Sequence, residues 1–166
     1  MPVATLYLVA ALATALMAGF FWSFSVVVMD GLRLLPPLEA MRAMQAINAA
    51  VRNALFGLGF FGTPILCLLV LLALVLPAGR GVGGLVAASG AALYIALAFV
   101  VTFARNIPLN EALATATSAE QWNAFLAPWV LWNHVRTVGS LAAACLLALG
   151  YGLDQRGSPA GATTWS

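Results

Sequence analysis

The chain has 166 residues, of which 63% are hydrophobic and 7% charged, against about 25% charged in an average soluble protein. It reads as an integral membrane protein with no room for a second globular domain. The formal charge of +2 comes from arginines alone, since there is no lysine; it is too small and scattered for a nucleic-acid surface, and nucleic acid is set aside as a partner.

The pattern predicts an all-α fold: an integral membrane four-helix bundle with spans at about 6–29, 55–76, 82–104 and 129–151, and short interfacial helices between spans 1 and 2 and between spans 3 and 4. These make one domain over 1–153, with a Gly- and Pro-containing flexible tail at 154–166. The uncharged start lacks the basic residues of a signal peptide and stays apolar past Ala15, so it is expected to be a retained first span.

The first span closes on the aromatic run GFFWSFS, in which Phe20, Phe21, Trp22 and Phe24 alternate with serines. Packing and an interfacial belt account for such a run. A flat wall for a planar ligand, built from Trp22 and Phe24, is the functional alternative. Asp30 and Arg33 end the span, and Pro36-Pro37 interrupt it. From Pro37 the apolar residues Leu38, Met41, Met44, Ile47, Val51 and Leu55 recur every three or four positions, which predicts an amphipathic helix along the interface. Asn48, at its end, is a candidate for facing a cavity.

In the second span Gly57, Gly59 and Gly62 are expected to permit close helix approach, and Pro64 to kink the helix or mark its first turn. A short hairpin around Arg80 makes spans two and three antiparallel neighbours. The third span carries a small-residue face of Gly84, Ala87, Ala88 and Ala91 or Ala92. It ends in ARNIPLNEAL, where Asn106 suits a helix N-cap, Pro108 a first turn and Glu111 the positive helix end. The alternative is a polar lid, with Arg105, Asn106 and Asn110 lining a cavity. Ser118 to Gln121 reads as a capping box for a further short helix up to Pro128.

The last span opens with WVLWNHVRTVGS. If it starts at Trp129, Arg136 lies roughly 10 Å along the axis, inside the hydrocarbon or at its edge. An arginine there is a functional candidate by default. At about 100° per residue, Trp129, Asn133, Arg136 and Ser140 share a face, with Trp132 to one side, while His134 points the other way. Such a stripe should face other helices or a wet cavity near the membrane surface. Arg33, Arg42, Arg52 and Arg105 lie on the side of the first and third loops, and Arg80 and Arg156 opposite, so the positive-inside rule places those two loops in the cytoplasm.

The stretches AGFFWSFSVVVMDGL, AMQAIN, TFARNIPLNEAL and WNHVRTVGSL resemble, in order and spacing from about Gly19 to Leu147, the anthrone oxygenase family of small membrane proteins. The resemblance implies a four-helix multi-pass protein of a bacterial cell membrane and, by analogy with its characterised members, oxidation of an anthrone to an anthraquinone by molecular oxygen without flavin or haem. Asp30 stands where relatives often carry proline, and the His134 position varies in the family, so neither residue gains weight from it.

The residues suit that chemistry in part. Arg136, with Asn133, can stabilise an oxyanion, and Trp129, Trp132, Trp22 and Phe24 can hold rings. The base is less defined: His134 has the right intrinsic pKa but points away, and Glu111 and Asp30 are the others. No cofactor is predicted, with oxygen as co-substrate. One histidine and two cysteines on separate apolar spans give no ligand spacing for a metal, although a site of His134 with Asp30, Glu111 or a thiol stays open. Two readings stand. One is an oxidoreductase acting on a hydrophobic aromatic or phenolic molecule drawn from the lipid bilayer. The other is a non-enzymatic scaffold, binding or transport-accessory subunit in which the polar stripe is structural.

Overall fold

A computed structural model describes residues 3–157 of the chain. The described residues are helical with no strand, and four helices are long and apolar enough to cross a membrane: α1 (Val3–Arg33), α3 (Ala54–Ala73), α4 (Val82–Ala114) and α5 (Ala119–Gly157). Between the first two lies α2 (Pro37–Ala50), with Pro37 at its start, where a missing N–H costs nothing.

The 20 residues of α3 span about 30 Å, the thickness of the hydrocarbon core. The other long helices exceed it. Because Phe20 of α1 packs on Phe56 of α3, ring centroids 4.9 Å apart, the start of α3 is level with about residue 22 of α1. The last turns of α1 therefore rise roughly 16 Å above α3. There Met29 and Leu32 meet Ala40, Met41 and Met44 of α2, together with Leu113, Trp122, Phe125 and Trp129. The amphipathic period seen in α2 is thus spent on this upper cluster. Gln45 ties α2 down, donating from Nε2 to the carbonyls of Leu113 (2.9 Å) and Ala116 (3.1 Å) at the end of α4.

Helix α4 packs on α5 along a seam of small residues. A Cβ added to Gly90 would lie 2.8 Å from the Ala143 carbonyl oxygen, and one on Gly150 would lie 2.7 Å from Ala87 Cβ. Backbones at this separation gain dispersion contacts that larger side chains forbid. The small-residue signature of the third span is therefore a contact surface, centred on Gly83, Ala87, Gly90 and Ala91, while Gly84 abuts the Gly79 carbonyl of the hairpin. The glycines of the second span differ from expectation: a Cβ on Gly57 or Gly62 would meet nothing within 4 Å, and one on Gly59 only Met17 Sδ at 4.0 Å. They leave space rather than close it.

Two junctions are more continuous than the sequence predicts. The capping box forms, with Gln121 Oε1 accepting from the amides of Thr117 (2.8 Å) and Ser118 (3.0 Å). The helix it starts then runs through Pro128 into the last span, because Trp122, Phe125, Trp129 and Val130 bury one face in the upper cluster. Asn106 is not an N-cap; it has helical φ −75° and ψ −38° and makes no capping bond. The chain passes it in a π-helical turn, Thr102–Asn106. Further π-helical turns occupy Ile95–Val100 of α4 and Phe24–Val28 of α1. The tail expected from Asp154 begins as helix, which continues to Gly157; its remainder lies outside the described residues.

Candidate functional site

The upper half of the bundle encloses a cavity of about 560 Å³. Phe20, Phe21 and Phe24 of α1 and Phe56, Phe60 and Phe61 of α3 form apolar walls, and Trp129, Asn133 and Arg136 of α5 form the floor and one side. The rim is polar, with Gln45, Asn48 and Arg52 from α2 and its exit and Asn110 and Glu111 from α4. Such a slot, mostly apolar with few convergent polar groups, is the usual form of a small-molecule site.

Arg136 is the expensive group. It is 6% exposed. Its Nη2 donates to Asn133 Oδ1 (2.6 Å) and its Nη1 to Thr102 Oγ1 (3.2 Å). The guanidinium carbon lies 4.4 Å from the Phe21 ring centre and 5.5 Å from that of Trp129. Nε has no protein partner. Among the described residues no carboxylate faces it within ion-pairing distance, and the ion pair found there joins Arg33 to Asp30 at the exposed end of α1. Asp30 therefore does not neutralise Arg136. A buried cation normally has an anionic partner, and here the open direction is the cavity.

Asn133 is held by α1 at the start of its π-helical turn, Phe24–Val28. Asn133 Nδ2 donates to the Phe21 carbonyl and to Ser25 Oγ, both at 2.6 Å. Its amide oxygen is thereby turned toward Arg136. Trp129 is fixed likewise: its Nε1 donates to Asn110 Oδ1 (2.7 Å), and its ring sits 5.9 Å from Phe24 and 6.0 Å from Phe125.

Of the residues singled out from the sequence, Arg136, Asn133, Phe24, Asn48, Asn110, Glu111 and Trp129 line one cavity. The others lie apart. Trp22 is 55% exposed on the outer face of α1, and His134 is exposed on the far side of α5. Arg105 stacks 4.8 Å above Trp132 in a pair outside the cavity lining. Asn106 is buried behind the wall, donating to the Trp129 carbonyl at 3.3 Å. Sequence reasoning left out Thr102, Gln45 and the phenylalanines of α3. Phe56 and Phe60, spaced i and i+4, carry a one-face signal, but the neighbouring glycines give the stretch the look of a packing motif. Among the described residues no group of three His, Cys, Asp or Glu is placed to hold a metal ion.

Fold and site together define a small multi-pass membrane protein with an arginine-floored aromatic pocket at one end of its bundle. The family model described as Anthrone oxygenase matches residues 53–146, and the chain belongs to that family. The match takes in α3, α4 and the cavity-lining part of α5. Comparison with curated proteins and with solved structures returned no match.

Proposed function

We propose that the protein oxidises a hydrophobic aromatic or phenolic molecule with molecular oxygen in this pocket, an anthrone being the model substrate. The observation that supports this best is a buried arginine without a carboxylate partner at the floor of a phenylalanine-walled slot. An anthrone fits the requirement. Loss of one proton from its methylene leaves a delocalised oxyanion, whose charge the guanidinium stabilises most strongly in a site shielded from water.

Glu111 is the base in this reading, in place of His134, because it is the carboxylate that lines the cavity. It stands nine residues beyond Thr102 on α4, about 13 Å of rise. With the guanidinium bonded at the level of Thr102, the interval, less the length of a glutamate side chain, suits a fused tricycle offering a C–H at one edge and an oxygen at the other. The carbanion and oxygen form a C–O bond, giving a hydroperoxide once protonated. That species loses the second methylene hydrogen and its terminal OH as water. One oxygen atom ends in the new carbonyl and one in water, and Glu111 regains its starting state. In this reading the α2 side of the bundle faces the cytoplasm, which the distribution of arginines supports.

Oxygen uptake with anthrone by the purified protein in lipid nanodiscs tests the assignment. Arg136→Gln should slow uptake by about 10²–10³-fold and Glu111→Gln by about 10²–10⁴-fold. Equal uptake by wild type and Arg136→Gln refutes the role of the guanidinium. Tight binding of anthrone with no oxygen consumed identifies a binding protein.

A further inference from the structure

The cavity lining reaches the outer surface of the bundle at Phe61 as well as at the polar rim. Phe61 lines it and yet is 53% exposed on the outside of the bundle. It lies seven residues into α3, about 10 Å below the helix start and so at the level of acyl chains, not headgroups. Gly57, one turn above Phe61 on the same face, has nothing within 4 Å of where a Cβ would stand. On the facing helix Phe103 is 45% exposed. At and below this level α3 and α4 are joined by rings, Phe60 to Phe99 at 5.6 Å, Phe60 to Phe103 at 6.2 Å and Phe61 to Phe99 at 6.4 Å. Above it α4 passes through the π-helical turn Thr102–Asn106, and its packing on α3 thins out.

From this we infer that the pocket is loaded sideways from the bilayer, through a gap between α3 and α4 that Gly57 keeps open and Phe61 and Phe103 frame. The class of molecule admitted is planar and largely apolar, dissolved among the acyl chains. The polar rim, carrying Arg52, Glu111 and Asn48, serves small polar species: protons, water and an ionic substituent of the ligand. This rests on the pocket reading above for the identity of the ligand, though not for the existence of the opening.

The test uses the full-length protein in phosphatidylcholine vesicles doped with a phospholipid bearing a diazirine midway along one acyl chain. After irradiation, adducts are mapped by peptide sequencing. Wild type should carry them on the outward residues Leu58 and Leu72 and also on the inner wall at Phe60, Trp129 and Asn133. Gly57→Leu should lower the inner adducts by about tenfold while the outer ones stay, as expected of a blocked route to a preformed site. Gly57→Ala should retain them, and Phe61→Trp narrows the same opening if Gly57→Leu does not fold. Anthraquinone added to the bilayer should displace the inner adducts. Adducts present but not displaced uphold the opening and count against a tricyclic ligand. An inner wall unlabelled in wild type, or labelled equally in Gly57→Leu and Phe61→Trp, overturns the inference.

Discussion

Replacing Asn133 by alanine isolates the physics of the site without touching the arginine. Its side chain is fully buried and makes three contacts: two donated bonds to α1, and one accepted from Arg136. Interhelical bonds in membranes are worth about 0.6 kcal/mol on average, with neutral bonds in general nearer 1. A bond to a charged group adds about 1.5–3 kcal/mol. Asn133→Ala should therefore cost about 3–5 kcal/mol, part of it arising because the guanidinium loses one of its two side-chain acceptors. Unfolding of the purified protein from mixed micelles by rising dodecyl sulfate reads this directly. A double-mutant cycle with Arg136→Gln should return a coupling of about 1.5 kcal/mol or more. Coupling near zero would mean that Asn133 holds α1 and not the guanidinium, and that the orientation of Arg136 has another cause.

Gly90→Leu should destabilise by about 1–3 kcal/mol or more in the same titration, since even its Cβ would lie 2.8 Å from a backbone oxygen; Gly57→Ala, with open space around it, should leave the midpoint unchanged or raise it. Gln45→Leu removes both bonds that hold α2 to the end of α4, and amide exchange over residues 113–118 should quicken by about 5–30-fold, the equivalent of one or two kcal/mol. His134→Ala should leave oxygen uptake within about twofold of wild type, as for an exposed residue away from the chemistry; a large loss would restore His134 as the base. Asn110→Leu leaves the Trp129 indole N–H without its acceptor and should weaken ligand binding by about tenfold, or 1.4 kcal/mol, a change read by tryptophan quenching with anthraquinone.

Composition and period were sufficient for the four spans, the amphipathic helix after Pro37 and the Arg136 stripe, because each is a local property: an apolar run long enough for the bilayer, a 3.6-residue repeat, a charge too costly to face lipid. The family was legible for the same reason, in short polar words at fixed spacing. What one helix does to another was not. Gly57 and Gly90 are the same residue in similar apolar runs; one faces a void and the other a backbone 2.8 Å away. That difference exists only once α3 and α4 have diverged. Asn106 has the sequence context of a cap, and Glu111 that of a first-turn acid. The π-helical turn rotates the chain so that the first is buried behind Trp129 and the second opens into the cavity. An inserted residue in a helical turn changes every facing beyond it, and nothing in the local pattern marks where the insertion falls. The sequence alone therefore determined that a buried arginine had to find a polar environment. Tertiary structure decided that this environment would include a phenylalanine-walled slot and, among the described residues, no carboxylate partner.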